Sequence, residues 1–225
     1  SLAINSNLGV PDNLIDRFIE IAEDLCNNNK IKELIIFTSV EAKDKQAEYV
    51  RFGLDYEKFW NNVDKILTKL PKVTINVMAT FNALSVFTYG DVIEQIFDMK
   101  KKHANNVRYW ISAIQLDTSY LRWPKHLSVK ILEREHKELI LESAKKAFYY
   151  ATPEFNHDNV GFSDVEVQKI KRIYDYSIAE DETFDVEQNR KDFVSFVDEY
   201  DERRGTNFIL TFPELKNFYY DVKNK

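Results

Sequence analysis

A single cysteine, Cys26, stands among the 225 residues. It cannot form a disulfide framework, and it cannot by itself hold an iron–sulfur cluster, which takes several thiolates. Only 5 glycines leave little material for a backbone cradle around phosphate. Basic charge is not in excess: 31 Lys and Arg face 37 Asp and Glu, and the net charge of −6 gives no footprint for nucleic acid. No apolar run approaches the roughly 18 residues that span a bilayer, and no signal-peptide pattern opens the chain. No membrane partner is expected, and the chain reads as soluble and cytoplasmic. Its first residue is Ser1, followed at once by Leu2-Ala3-Ile4, so it reads as a fragment or one part of a split protein.

Core-building residues are plentiful. Hydrophobic residues make up 44% of the chain, with 16 Phe, 12 Tyr and 3 Trp, enough to bury a sizeable core. Their spacing alternates between two periods. Leu2 to Leu8 predicts a strand, and Gly9-Val10-Pro11 breaks it. Leu14, Ile15, Phe18, Ile19, Ala22 and Leu25 then recur at helical spacing. Leu34 to Phe37 is a continuous apolar run, as in a strand covered on both faces. Asp55 caps a helix that buries Phe59, Trp60, Val63, Ile66 and Leu67 before Pro71. Val73 to Phe81 predicts a third strand, Val92 to Phe97 a third helix, and Val107 to Ile114 a fourth strand. This alternation argues for parallel strands joined by right-handed crossovers, either half a barrel or a small open sheet. After about residue 120 the strands stop. Helices are expected over 134–150, 163–178 and 185–203, with a loop from Ala151 to Gly161. The division falls near Tyr120 to Pro124, giving an α/β part over 1–122 and a helical extension over 123–225.

Parallel α/β folds bind ligands at the C-terminal ends of their strands. Here those ends read Asn5-Ser6-Asn7, Thr38-Ser39-Val40-Glu41, Ala79-Thr80-Phe81-Asn82 and Ser112-Ala113-Ile114-Gln115. Such hydroxyls, amides and carboxylate can hydrogen-bond ribose, an amino group or an adenine edge; each is equally at home as a solvated loop residue. Arg51 follows a long loop that can fold back over the strand ends. Its guanidinium suits a ligand carboxylate, or a surface pair with Glu48 or Asp55. The histidines at 103, 126, 136 and 157 show no metal-ligand spacing, so no metal ligand is assigned. Cys26 reads as an inert buried thiol.

Beyond these positions, three runs resemble the middle of radical S-adenosylmethionine enzymes: Ser39-Val40-Glu41-Ala42, Gln46 to Gly53, and Trp60-Asn61-Asn62-Val63. The likeness is to the bacterial and phage group with a reduced SPASM, or twitch, domain. Asn5-Ser6-Asn7-Leu8 looks like the turn on that family's third barrel strand, and Thr80-Phe81-Asn82-Ala83-Leu84 like the Thr-x-Asn motif on its fifth. Leu121-Arg122-Trp123-Pro124 resembles the segment after the sixth. Asp201-Glu202-Arg203-Arg204-Gly205-Thr206-Asn207 looks like the C-terminal signature. The resemblance implies strands three to six of a TIM-like (β/α)6 barrel, followed by an all-helical twitch-like extension. It implies S-adenosylmethionine as cofactor, with Ser39 and Glu41 near its ribose and amino group and Arg51 near its carboxylate. Asn5, Asn7, Thr80 and Asn82 would line the same cleft; no catalytic residue is assigned. The family's CxxxCxxC loop and GGE motif do not occur. A [4Fe–4S] cluster is therefore expected only in the complete enzyme, on a missing N-terminal half or a complementary chain. The substrate is open, with peptides the class that related enzymes suggest. Two rival readings stand beside this one. The first is a non-catalytic half-barrel that binds a nucleotide-like ligand or a protein. The second is an unrelated enzyme using Glu41 with Asp44 or Glu48 as acid and base.

Overall fold

The computed structural model describes residues 1–106, 112–156 and 160–225. Four parallel strands, β1 (Leu2–Asn5), β2 (Leu34–Ser39), β3 (Val73–Phe81) and β4 (Ile114–Tyr120), lie in sequential order in one sheet. Between them run α1 (Asp12–Asn27), α2 (Asp44–Val50), α3 (Tyr56–Lys69) and α4 (Tyr89–Lys102). Pro11 precedes α1, and the Asp55 carboxylate caps α3 by accepting the Lys58 N–H at 2.9 Å, as the spacing predicts.

Burial alternates residue by residue. Leu34, Ile36, Val73, Ile75, Val77, Ile114 and Leu116 point to a face covered by helices and are at most 2% exposed. Helix residues Ile15, Phe59, Val63, Ile66, Val92 and Ile96 complete that core. The register places Asn5, Phe37, Asn76 and Gln115 in one row on the other face, and Ser39, Met78 and Asp117 in the next. This second face is open enough to leave Met78 41% exposed. A sequential order of right-handed crossovers puts every crossover helix on one side, which is why only one face is covered.

Three expectations about this half need correction, the first being cover on both faces of β2: its burial alternates, with Ile35, Phe37 and Ser39 on the open face. The fourth strand begins at Ile114, so Ser112 to Gln115 sit at its start, and its C-terminal end is Thr118-Ser119-Tyr120. Residues 107–111, which that expectation included, lie outside the described residues. The strand that forms alternates: Ile114, Leu116 and Thr118 are buried, while Gln115, Asp117 and Ser119 are more exposed. One-sided cover selects such alternation. The loop expected before Arg51 is the helix α2.

The extension is helical, with α5 (Arg134–Tyr150), α6 (Pro153–Asn156), α7 (Asp164–Ile178), α8 (Val186–Arg204), α9 (Phe208–Thr211) and α10 (Lys216–Lys223). The helices expected over 134–150, 163–178 and 185–203 form within a residue of those bounds. Between α5 and α7, α6 adds a short turn inside the expected loop. Ser163 and Glu166 make a reciprocal capping box at the start of α7. The Glu166 carboxylate also accepts the Leu116 N–H at 2.9 Å, so a side chain takes the place of a fifth strand on the β4 edge. Lys100 of α4 pairs with it at 3.0 Å. The same ammonium donates to Ser112 Oγ at 2.9 Å and lies toward the Gly161 carbonyl at 3.5 Å. Burial pushes the Lys100 ammonium below its usual value, although Glu166 pulls the other way. At the opposite edge, β1 pairs with β2 and with no other described strand.

Replacing Lys100 by Met leaves the Glu166 carboxylate buried without its counter-charge. A loss of about 3–5 kcal/mol of unfolding free energy is expected by urea titration. A loss under about 1 kcal/mol would show that the pair is not integral to the fold.

Candidate functional site

All seven residues singled out in the sequence lie at the C-terminal end of β1, β2 and β3 or in the segments just beyond, but they do different things there. Asn5, Ser39 and Thr80 project from the open face; Ser39 stands opposite Met78, and Thr80 opposite Ser119. Asn7 is exposed, and its side-chain oxygen accepts the Gly9 N–H at 3.3 Å within a turn. That turn is held from outside. Leu8 is buried at φ +51°, and the buried Asn62 of α3 donates to the Leu8 carbonyl at 2.7 Å and to the Val10 carbonyl at 3.3 Å.

Asn82 is likewise engaged locally. Its oxygen accepts the Leu84 N–H at 2.9 Å, and its amide donates to the Thr80 carbonyl at 3.0 Å. It therefore shapes the turn after β3. Glu41 and Arg51 meet each other: Arg51 Nε donates to Oε2 at 2.6 Å and Nη2 donates to Oε1. The glutamate side chain is 4% exposed and the arginine 35%. The surface partners weighed for Arg51 are occupied elsewhere. Glu48 accepts from Lys45 at 2.6 Å and from the Tyr56 N–H at 3.3 Å, and Asp55 caps α3. Glu41 shares no hydrogen bond with Asp44 or Glu48, so these carboxylates do not form a bonded acid–base pair.

Sequence reasoning missed how α2, which leads into Arg51, is clamped by the C-terminal segment. Gln46 donates to the Thr211 carbonyl at 3.3 Å and accepts from Thr88 Oγ1 at 3.1 Å. Tyr200 OH donates to the Tyr49 carbonyl at 2.5 Å. The Tyr49 ring packs on Tyr200 (4.9 Å) and edge-on to Phe212 (5.3 Å). Burial, with the Asp201 carboxylate adding to it, pushes the Tyr49 hydroxyl far above its usual value. The Arg204 guanidinium lies 4.4 Å from the Phe52 ring centre and 4.7 Å from that of Tyr200. Asp201 accepts from Thr206 and from the Phe208 N–H, both at 2.6 Å, while Gly205 closes α8 at φ +64°. The segment from Tyr200 to Phe212 thus builds this clamp. The buried residues of α2 are Gln46, Ala47 and Tyr49, and the buried glutamine carries no local signal in the sequence.

Of the histidines, His103 meets Asp64 at 2.9 Å, His126 packs against Phe196, and His157 lies outside the described residues. His136 brings one ring nitrogen within 4.8 Å of Glu133 and Glu135 oxygens. These residues form the first turn of α5, where the helix dipole favours carboxylates without any ion. Cys26 is half-buried rather than buried, at the end of α1 beside Leu70 and Pro71. No helix among the described residues is long and apolar enough to cross a membrane. Comparisons with family models, with curated proteins and with solved structures find no match to this chain.

Replacing Arg51 by Met strands the Glu41 carboxylate. A destabilisation of about 3 kcal/mol is expected by chemical denaturation, and adding Glu41→Gln should recover much of it. Equal instability of the single and double variants would refute the coupling.

Proposed function

We propose that this chain is the S-adenosylmethionine-binding half of a radical S-adenosylmethionine enzyme. In this reading it supplies strands three to six of a (β/α)6 barrel and a twitch-like extension, and it works in the cytosol. The observation that carries the reading is the uncovered sheet face, whose C-terminal rim presents Asn5, Ser39 and Thr80. A barrel is what sequential parallel strands with one-sided helices become when more strands close them, and its lumen is then this open face.

On that rim Asn5, Ser39 and Thr80 offer hydrogen bonds to ribose hydroxyls and an adenine edge. The Glu41–Arg51 pair stands beside them. Its carboxylate suits the amino group of the cofactor's methionine moiety, and its guanidinium, more than one-third exposed, suits the carboxylate. Iron does not fit this chain: the one thiol lies in the last turn of α1, beside the segment leading into β3, at the opposite end of the sheet. Cluster chemistry therefore belongs to a complementary N-terminal part, and the substrate, with peptides as the analogous class, is bound by both parts together. The mutual neutralisation of Glu41 and Arg51 favours one alternative, a non-catalytic half-barrel that takes a nucleotide-like ligand or a protein.

The two readings separate in a nitrogen-15 NMR titration. S-adenosylmethionine at millimolar concentration is expected to shift the amides of Asn5, Ser39, Glu41 and Thr80. Arg51→Lys should weaken this binding about tenfold, the worth of one charge-assisted hydrogen bond. Adenosine binding as tightly as S-adenosylmethionine, with no dependence on Arg51, would select the nucleotide-binding alternative. Silence at these amides would overturn both ligand readings.

A further inference from the structure

A second hollow, of about 540 Å³, opens among α5, α7 and the start of α8. The α7 helix runs parallel to β4, Glu166 reaching Leu116 and Tyr176 stacking on Tyr120 at 4.0 Å. Its C-terminus therefore brings this cleft to the same end of the sheet as the strand ends. Three cations line it: Lys130, Arg134 and Lys137. Lys130 is buried, donates to the Ala179 carbonyl at 3.1 Å and has Asp181 at 3.5 Å. Among the described residues Arg134 pairs only with Glu138, at 3.5 Å and exposed. The Asp181 carboxylate is occupied by the Thr183 hydroxyl and N–H, at 2.6 and 3.1 Å. Glu180 is exposed.

Lys137 is the exception. It is half-buried, and among the described residues no carboxylate or carbonyl accepts from its ammonium. Burial, then the charges of Arg190 and Lys130, hold that ammonium below its usual value. A desolvated cation beside two others, facing a cavity, lacks an anion. Glu138, Glu180 and Asp181 line the same cleft, so it is the unmatched Lys137, not an excess of cations, that leaves room for one further anion with several acceptor oxygens. The facing wall is apolar: Tyr174 and Phe184 lie within, and Ile178 and Val186 are exposed at the lip, 54% and 40%.

We propose that this cleft binds a phosphomonoester carried on an aromatic or other apolar ring, with Lys137 as its principal ion partner. The phosphate replaces the missing counter-charge of Lys137, and the ring covers the apolar wall. This site stands apart from the rim residues of β1–β3.

The test uses the full chain with phenyl phosphate, inorganic phosphate and phenol as probes, followed by calorimetry and by the amides of Ser177, Phe184 and Val186. Phenyl phosphate should bind saturably, and at least about tenfold more tightly than either fragment. Lys137→Gln should weaken it at least about tenfold while leaving the urea midpoint unchanged or higher, because the substitution removes a like-charge contact. Should that variant misfold, Ile178→Asp, at an exposed position, puts an anion at the lip and is expected to abolish binding. Equal affinity for inorganic phosphate overturns the ring assignment. Absence of saturable binding, or binding insensitive to both substitutions, overturns the site.

Discussion

Much of the architecture depends on the carboxylate of Glu166. It caps α7 through Ser163, accepts the Leu116 N–H at the edge of β4 and pairs with Lys100 of α4. Three separate elements, a helix of the α/β half, its last strand and a helix of the extension, thereby meet at one buried ion pair. Such a pair gives little net stability compared with well-packed apolar residues, yet removing one member leaves a charge stranded in the core. What it supplies is geometry. The strand edge is closed by a side chain, α7 is fixed along β4, and the cleft at the far end of α7 inherits its position from that contact.

The opposite edge is managed differently. β1 is short and exposed and pairs only with β2 among the described strands. Since bare edges invite further strands, the asymmetry fits the reading that other strands continue the sheet beyond β1. The open face is mixed in character, with Phe37 and Met78 set among Asn5, Asn76, Gln115 and Asp117.

Between the two edges, the C-terminal segment turns back to hold α2. Tyr49, Tyr200, Phe208 and Phe212 form an aromatic cluster, and Gln46 ties α2 both to α9 and to Thr88. Arg51 follows directly, so the guanidinium beside the strand ends is positioned by residues some 150–165 places later in the chain. A chain shortened before Tyr200 would lose the clamp although every rim residue remained.

Much was legible from local chemistry. The strand spacing, the Asp55 cap, the Pro71 stop and the three long helices of the extension follow from periodicity and capping, which act over a few residues. β4 was expected to end at Ile114 and instead begins there, because one-sided cover rewards alternation, and which faces are covered is a property of the whole sheet. The pairing of Arg51 with Glu41, the use of Asn82 in its own turn, the Glu166–Lys100 lock and Lys137, unpartnered among the described residues, depended on which side chains the fold brought together. The sequence by itself determined which segments would be helix or strand, since those preferences are written in neighbouring residues. Only the tertiary structure decided which charges meet and which do not, because an ion pair is set by distance in space between groups remote along the chain.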